Sequence, residues 1–504
     1  IWPWGGNMDI ARDCVIHSKG GRLGDNVTSV ADAQRIAEQA FTANKRNGVV
    51  LHFHGGLVSK SSGDAIALRL GERYSSASTY PVFSVWESGI LETLRNNLKD
   101  ILQDQVFREL VKKAGEWVLR EGTSAIATRG AGQAVNAAQL RADFDAYFTG
   151  KSSEPPLKEQ SPPNGQVSKG AVPDEDDLAA KIEAEIELDP TFQETMAGLF
   201  VAANRVSPAV TRGASIEPRP VKLIIDKKAI DEMFPPGPTG ATRGGIPWLT
   251  VAKFVAKVVV ASINRFLGKR DHGAYTTVVE EVLRAAYLAK VGEVVWRQMK
   301  KDTADAFGDA QGAGEVVLQT WAKLLQQGKP APRITLIGHS TGALYIDQWI
   351  SRSAEIAPTL SYDVIMLAPA CRCEDFTNVL AQHGALIANF RVFAMQDAVE
   401  QQDRLVSIIY PRSLLYFVSG VVEGDVDVPL LGMQRYLADT EVFHAAGFPA
   451  VKQVREFFAA GKQRSVWSVS DGGPGLSSAS VSHGDFDDDE QTLTSLSSIL
   501  TAGF

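Results

Sequence analysis

Cysteine is nearly absent: the 504 residues hold three, and Cys371 and Cys373 stand one residue apart in LAPACRCEDF. That count and spacing exclude a disulfide framework and the CxxC pairs of structural zinc sites, and they suit a reducing compartment. Positive charge is also in short supply. Lys and Arg number 51 against 59 Asp and Glu, the net charge is -8, and no long basic tract occurs, so neither nucleic acid nor an anionic membrane is an expected partner. No apolar run spans a membrane. The most apolar stretch, WLTVAKFVAKVVVASINRFL from Trp248 to Leu267, carries Lys253, Lys257 and Arg265, which are costly in hydrocarbon, and reads as an amphipathic packing helix. The amino-terminal IWPWGGNMDIARD lacks a basic stretch followed by an apolar segment of about 7 to 15 residues, so no secretory signal is visible and a cytoplasmic location is expected. Ile1 to Asn7 read as residues added ahead of a start at Met8, or as a processed end. No repeat occurs at the 20 to 50 residue periods of solenoids or propellers.

What is present is a globular composition, 44% hydrophobic, with an interrupted α/β pattern. Short β-branched runs alternate with helical stretches over the first ninety residues: DCVIHS, GVVLHF (Gly48 to Phe53) and YPVFSVW (Tyr80 to Trp86) as strands, Val30 to Asn44 and Ser62 to Ser76 as helices. The alternation resumes near 310, with RITLIG, YDVIMLAP, FRVFAMQD and RSVWSVSD as strands. This predicts a mostly parallel sheet flanked by helices, formed by residues 1–90 and 310–504, with a mostly helical insertion at 91–309. Helices are expected over Ile90 to Glu121, Leu178 to Glu187, Pro190 to Asn204, Trp248 to Leu267 and Tyr275 to Phe307. Lys151 to Asp177 holds five prolines and almost no large apolar residues, and is expected to be a mobile loop.

One pentapeptide stands out: Gly338-His339-Ser340-Thr341-Gly342, after a strand and before a helix. A serine on such a turn is held in a strained conformation with its hydroxyl pushed out at the carboxyl edge of the sheet, and the helix amino end favours negative charge there. The flanking glycines remove Cβ atoms that would collide with strand and helix. A second signal is His54-Gly55-Gly56-Leu57 after an early strand, where glycines let backbone N–H groups approach a developing oxyanion. Losing one such donor typically costs about 3 kcal/mol of barrier.

The elbow with the upstream His-Gly-Gly resembles the α/β-hydrolase superfamily of serine esterases and lipases, over roughly residues 10 to 90 and 310 to 504. The resemblance implies an oxyanion hole from Gly55, Gly56 and Thr341, and a chain order of nucleophile, acid, histidine, with the acid after a late strand and the histidine after the last. Of eight histidines, His17, His52, His54 and His272 precede the nucleophile, His339 should point away from the hydroxyl, and His383 precedes any plausible acid. His483, in SVSHGDFDDDE, is favoured over His444. For the acid, Asp397 is favoured by strand position and Asp403 is its rival, with Glu400 between them and Asp425 and Asp427 weaker. The run Asp485 to Glu490 reads as a helix cap rather than a metal site.

The resulting expectation is a carboxylic ester hydrolase using Ser340, His483 and an aspartate through an acyl-enzyme, with no metal and no cofactor, on a small-molecule or lipid ester. His54, Leu57, His339, Leu414 and Leu431 are expected to line the pocket, with LLYFVSG and PLLGMQRYL as an apolar wall. Phe254, Val258, Phe266 and Leu267 share a helix face and read first as packing for a cap or lid, second as pocket lining. Cys371 and Cys373 fall at the edge of the site. Amidase, thioesterase or acyltransferase chemistry, or a binding module that has lost activity, remain open alternatives.

Overall fold

Strands β2 (Val49–Phe53), β4 (Ile334–His339) and β5 (Tyr362–Leu367) are buried at every residue. Such continuous burial is expected of central strands covered on both faces. The computed structural model describes residues 8–504 except 25, 56–58, 87–89, 122–136, 158–171, 205–216, 236–244 and 462. Seven parallel strands form one sheet in the order β1-β3-β2-β4-β5-β6-β7, with β1 at Val15–Ser18, β3 at Tyr80–Trp86, β6 at Ile387–Met395 and β7 at Ser465–Ser468. The chain leaves β2 toward β3 on one side and leaves β4 toward β5 on the other. The carboxyl ends of β2 and β4 therefore flank a topological switch point, where open α/β sheets have a crevice.

Between Trp86 and Ile334 the described residues contain only helices and irregular chain. The helix Trp248–Leu267 packs on Glu175–Ile186, Gln105–Glu121 and Ala274–Ala286. Phe254, Val258 and Phe266 are buried in that packing, as their amphipathic spacing suggests, and none lines the cavity at Ser340. The expected helix from Ile90 to Glu121 is divided at Asp104, whose carboxylate accepts the Val106 N–H at 3.2 Å and the Tyr287 hydroxyl at 2.6 Å. An aspartate that caps the next helix in this way breaks a continuous one. The expected helix from Tyr275 to Phe307 is likewise three, Ala274–Ala286, Leu288–Val291 and Glu293–Asp305, the last break falling at Gly292 with φ 111°. In the Pro-rich stretch, 158–171 lie outside the described residues. Its end is not loop: Asp174 caps the helix Glu175–Ile186 through the Asp176 and Asp177 N–H groups.

A buried charge cluster joins the insertion to the sheet-bearing part. His272 sits between Glu280 Oε1 at 2.8 Å and Asp427 Oδ1 at 2.9 Å, while Arg265 pairs with Glu280 at 2.6 Å and Tyr436 donates to Asp427 at 2.7 Å. Asp427 is thereby committed to this junction, and Asp425 is exposed. Removing one member would strand a buried charge, which is why such clusters hold their geometry.

The turn after β4 is packed to its limit. A Cβ on Gly342 would lie 2.2 Å from the Phe53 carbonyl oxygen at the end of β2, and one on Gly338 would lie 2.7 Å from the Gly342 backbone. Gly342→Ala is expected to destabilise the protein by about 3 kcal/mol, the upper end for overpacking. Gly384→Ala, with only Leu380 Cδ2 at 4.0 Å, should stay within about 0.5 kcal/mol. Denaturant unfolding of the two variants measures the difference.

Candidate active site

Ser340 occupies the tip of the turn with φ 54°, the left-handed region that non-glycine residues rarely adopt. The strain is held by backbone pairing to the end of β5: the Ser340 N–H donates to the Leu367 carbonyl at 2.8 Å, and the Ser340 carbonyl accepts the Ala370 N–H at 3.1 Å. Thr341 follows as the cap of the helix Gly342–Ile356, which points its amino end at the serine. Gly55 comes off β2 directly beside it, its Cβ position 3.3 Å from Ser340 Cβ. Gly56 and Leu57 lie outside the described residues.

Nε2 of His483 accepts the Ser340 hydroxyl at 2.8 Å. The loop bearing His483 follows β7 and the short hairpin Ser470–Asp471 with Ser477–Ser478, and its backbone is gripped from two sides. The His483 N–H donates to Asp403 Oδ2 at 2.9 Å, and its carbonyl accepts Nε2–H of His339 at 2.8 Å. His339 thus points away from the serine hydroxyl. Its Nδ1 faces Asp487 Oδ2 at 3.6 Å, an ion-pair distance longer than a hydrogen bond. Burial opposes charge on His339, but Asp487, the His483 carbonyl and Asp488 together outweigh it and raise the imidazole pKa, while burial and then His339 act oppositely on Asp487, leaving it at about 2. Burial, and secondarily the charge of His339, lower His483 to about 3. His483 is therefore neutral, as a proton acceptor must be. With Nε2 accepting, its proton sits on Nδ1, a buried atom with no hydrogen-bond partner.

Asp397 is not brought to His483. Its carboxylate accepts the Tyr416 hydroxyl at 2.6 Å and the Gln401 amide at 2.7 Å, and its N–H is held by Gln434. Position after β6 selected it, but the chain turns on through Asp397–Glu400 before reaching the histidine loop, and Asp403 is the carboxylate delivered there. Burial raises Asp403 above the ordinary carboxylate range against the lowering effect of the His483 N–H. Glu400 is buried, accepts from Ser413 at 2.9 Å, and burial holds its pKa well up. His444 is exposed and takes the Gly447 N–H.

A cavity of about 600 Å³ opens over the serine, lined among others by Gly55, His339, Ser340, Asp403, Leu414 and His483. His339 and Leu414, two of the residues expected near the pocket, are on its wall. His54 lies beneath: its Nδ1–H donates to the Gly55 carbonyl at 2.7 Å, its Nε2 accepts the Trp86 N–H at 3.2 Å, and burial lowers it to about 4. It orients the Gly55 peptide without facing the cavity. Leu431 is fully buried, its N–H on the Cys371 carbonyl. Burial pushes both thiols up, Cys373 to about 12, so neither is a thiolate at neutral pH. In the acidic run, Asp489 does cap the last helix through the Thr492 N–H. Asp487 turns inward instead, a role its neighbours in DFDDDE concealed. The buried Phe486 beside it was the available signal.

These states are directly observable. Because burial disfavours charge, His54 and His483 should remain neutral at pH 5, well below the ordinary histidine value near 6.5. Nitrogen NMR of histidine-labelled protein should show His54 as the Nδ1–H form throughout, and an ordinary midpoint near 6.5 for either residue would contradict the buried arrangement.

Among the described residues no helix is long and apolar enough to cross a membrane, and no group of three or more His, Cys, Asp or Glu is placed to hold a metal ion. No protein-family model, curated protein or solved structure matches the chain.

Proposed function

We propose that the protein is a serine hydrolase of the α/β-hydrolase kind that cleaves carboxylic esters. The observation that carries this reading is the contact between Ser340, on a left-handed turn at the sheet's switch point, and neutral His483 at 2.8 Å. In the proposed reaction His483 takes the hydroxyl proton as Ser340 Oγ attacks the acyl carbon. Negative charge on the carbonyl oxygen is met at the amino end of the helix Gly342–Ile356, with N–H groups from Thr341 and the Gly55-Gly56 turn as the proposed donors. The imidazolium then protonates the departing alcohol. Water, deprotonated by the same histidine, attacks the acyl-serine, releasing the acid and restoring the hydroxyl.

The imidazolium formed on the way needs a counter-charge on its Nδ1–H side. Asp403 is the proposed group, because it already holds the His483 amide while Nδ1 of that histidine has no hydrogen-bond partner. It would act as a positioning residue that fixes the tautomer and stabilises the cation.

Two experiments bear on this. Incubation with a fluorophosphonate followed by intact-mass and peptide analysis should give one adduct on Ser340, absent from Ser340→Ala; a folded protein that stays unlabelled sinks the reading. Asp403→Asn should lower kcat at least about 100-fold with little change in KM, whereas Asp397→Asn should stay within about threefold. Equal losses in the two variants, or losses confined to KM, would remove Asp403 from the role.

A further inference from the structure

Two spaces of opposite character meet at Ser340. One is the open cavity of about 600 Å³. The other is a narrow slot lined by Leu94, Gly292, Met299, Leu414, Phe417 and Val422 that also reaches Ser340 and leaves only about 20 Å³ free. That is room for about one water molecule, or a methyl group. No charged side chain lines the slot.

The open cavity is different. Arg95 and Lys99, one turn apart on the helix Ile90–Gln103, and Arg404 beside Asp403 all line it. The three carboxylates around them have contacts of their own: Asp403 on the His483 N–H and within electrostatic reach of Arg95, Asp487 opposite His339, and Asp488 in an ion pair with Arg69. Among the described residues none of the three cations has an ion-pair partner. Three cations around one concavity, none tied up in an ion pair, favour an anionic group there.

Resting on the hydrolase reading, we infer that the substrate is an ester of a short acyl group, acetyl in size, whose alcohol part carries a phosphate or carboxylate. The acyl chain occupies the slot, which is apolar and too small for a long chain. The alcohol part occupies the cavity, with its anionic group over Arg95, Lys99 and Arg404. In the reaction the ester C–O bond breaks, the alcohol oxygen takes the proton from His483, and the acetyl group stays on Ser340 until water removes it. An anion held by Arg95 and Lys99 fixes which end of the ester faces the slot. A large part of the selectivity is therefore electrostatic and falls with salt.

The test uses matched esters whose leaving groups differ in charge: 4-acetoxybenzoate and 4-acetoxybenzamide. The wild-type protein should favour the carboxylate in kcat/KM by about tenfold or more at low ionic strength, and 0.5 M salt should collapse that ratio. In Arg95→Gln/Lys99→Gln the ratio should fall toward one. The ratio is read within each protein, so a general loss of activity cancels, and fluorophosphonate labelling of Ser340 reports whether the variant keeps a folded site. With 4-nitrophenyl esters, acetate should exceed octanoate by at least about tenfold, and Met299→Ala should narrow that gap. A wild-type ratio near one, a ratio unchanged in the double variant, or a preference for octanoate overturns the inference while leaving a labelled Ser340 and the hydrolase reading intact. An unlabelled Ser340 with neither ester cleaved overturns both.

Discussion

The approach of Gly342 to the Phe53 carbonyl governs the site, because it decides how close two separate strands can bring their loops. A side chain at 342 would push the helix Gly342–Ile356 away from β2. With the gap closed, Ser340 just after β4 and Gly55 two residues past β2 lie side by side, so a strained serine and a glycine face one point in space. The strain at Ser340 is tolerable because the end of β5 pairs with both its N–H and its carbonyl, leaving the backbone no alternative pairing at that edge. Central strands, turn and helix are thus one mechanical unit, and the hydroxyl inherits its direction from the core.

The histidine has no such support from the sheet and is fixed by charge and hydrogen bonding instead. Its loop follows a four-residue strand and a two-residue hairpin, elements too short to define a position by packing alone. Asp403 and His339 hold the His483 peptide from opposite sides, and Asp487 favours the charged form of His339 against the cost of burial. Burial, and secondarily any positive charge on His339, disfavours charge on His483, so the same arrangement that positions the ring also tunes it. His54, by contrast, is neutral through burial and works only on the Gly55 peptide.

The elbow was legible from sequence because its chemistry is local. Glycines two residues either side of Ser340 carry a steric requirement that follows from the backbone, and the apolar runs of β2, β4 and β5 announce buried strands. The carboxylate was not legible. Asp397 follows a strand as the acid loop of a hydrolase does, but which of several nearby acids reaches the histidine depends on a short helix and on contacts with Tyr416, Gln434 and Gln401 that no spacing encodes. Asp487 was hidden for the same reason: within DFDDDE the capping residue and the inward-facing one have identical chemistry, and only tertiary packing separates Asp489 from Asp487. The insertion's longest helices were found and Ala137–Phe148 and Lys227–Met233 were not, while the breaks depend on Asp104 meeting Tyr287 and on the left-handed Gly292.

The helix Ile90–Gln103 gives the molecule one further property. Leu94, Leu98 and Ile101 form its buried stripe, and Leu94 walls the apolar slot, while its neighbour Arg95 and Lys99 one turn on look into the open cavity. Wall and charge are therefore carried on one rigid rod. A rotation of that rod about its axis would narrow or widen the slot and redirect both cations in the same movement. The fit at the two ends of a bound molecule is consequently a single mechanical variable, and neither end can be retuned by moving this helix without disturbing the other.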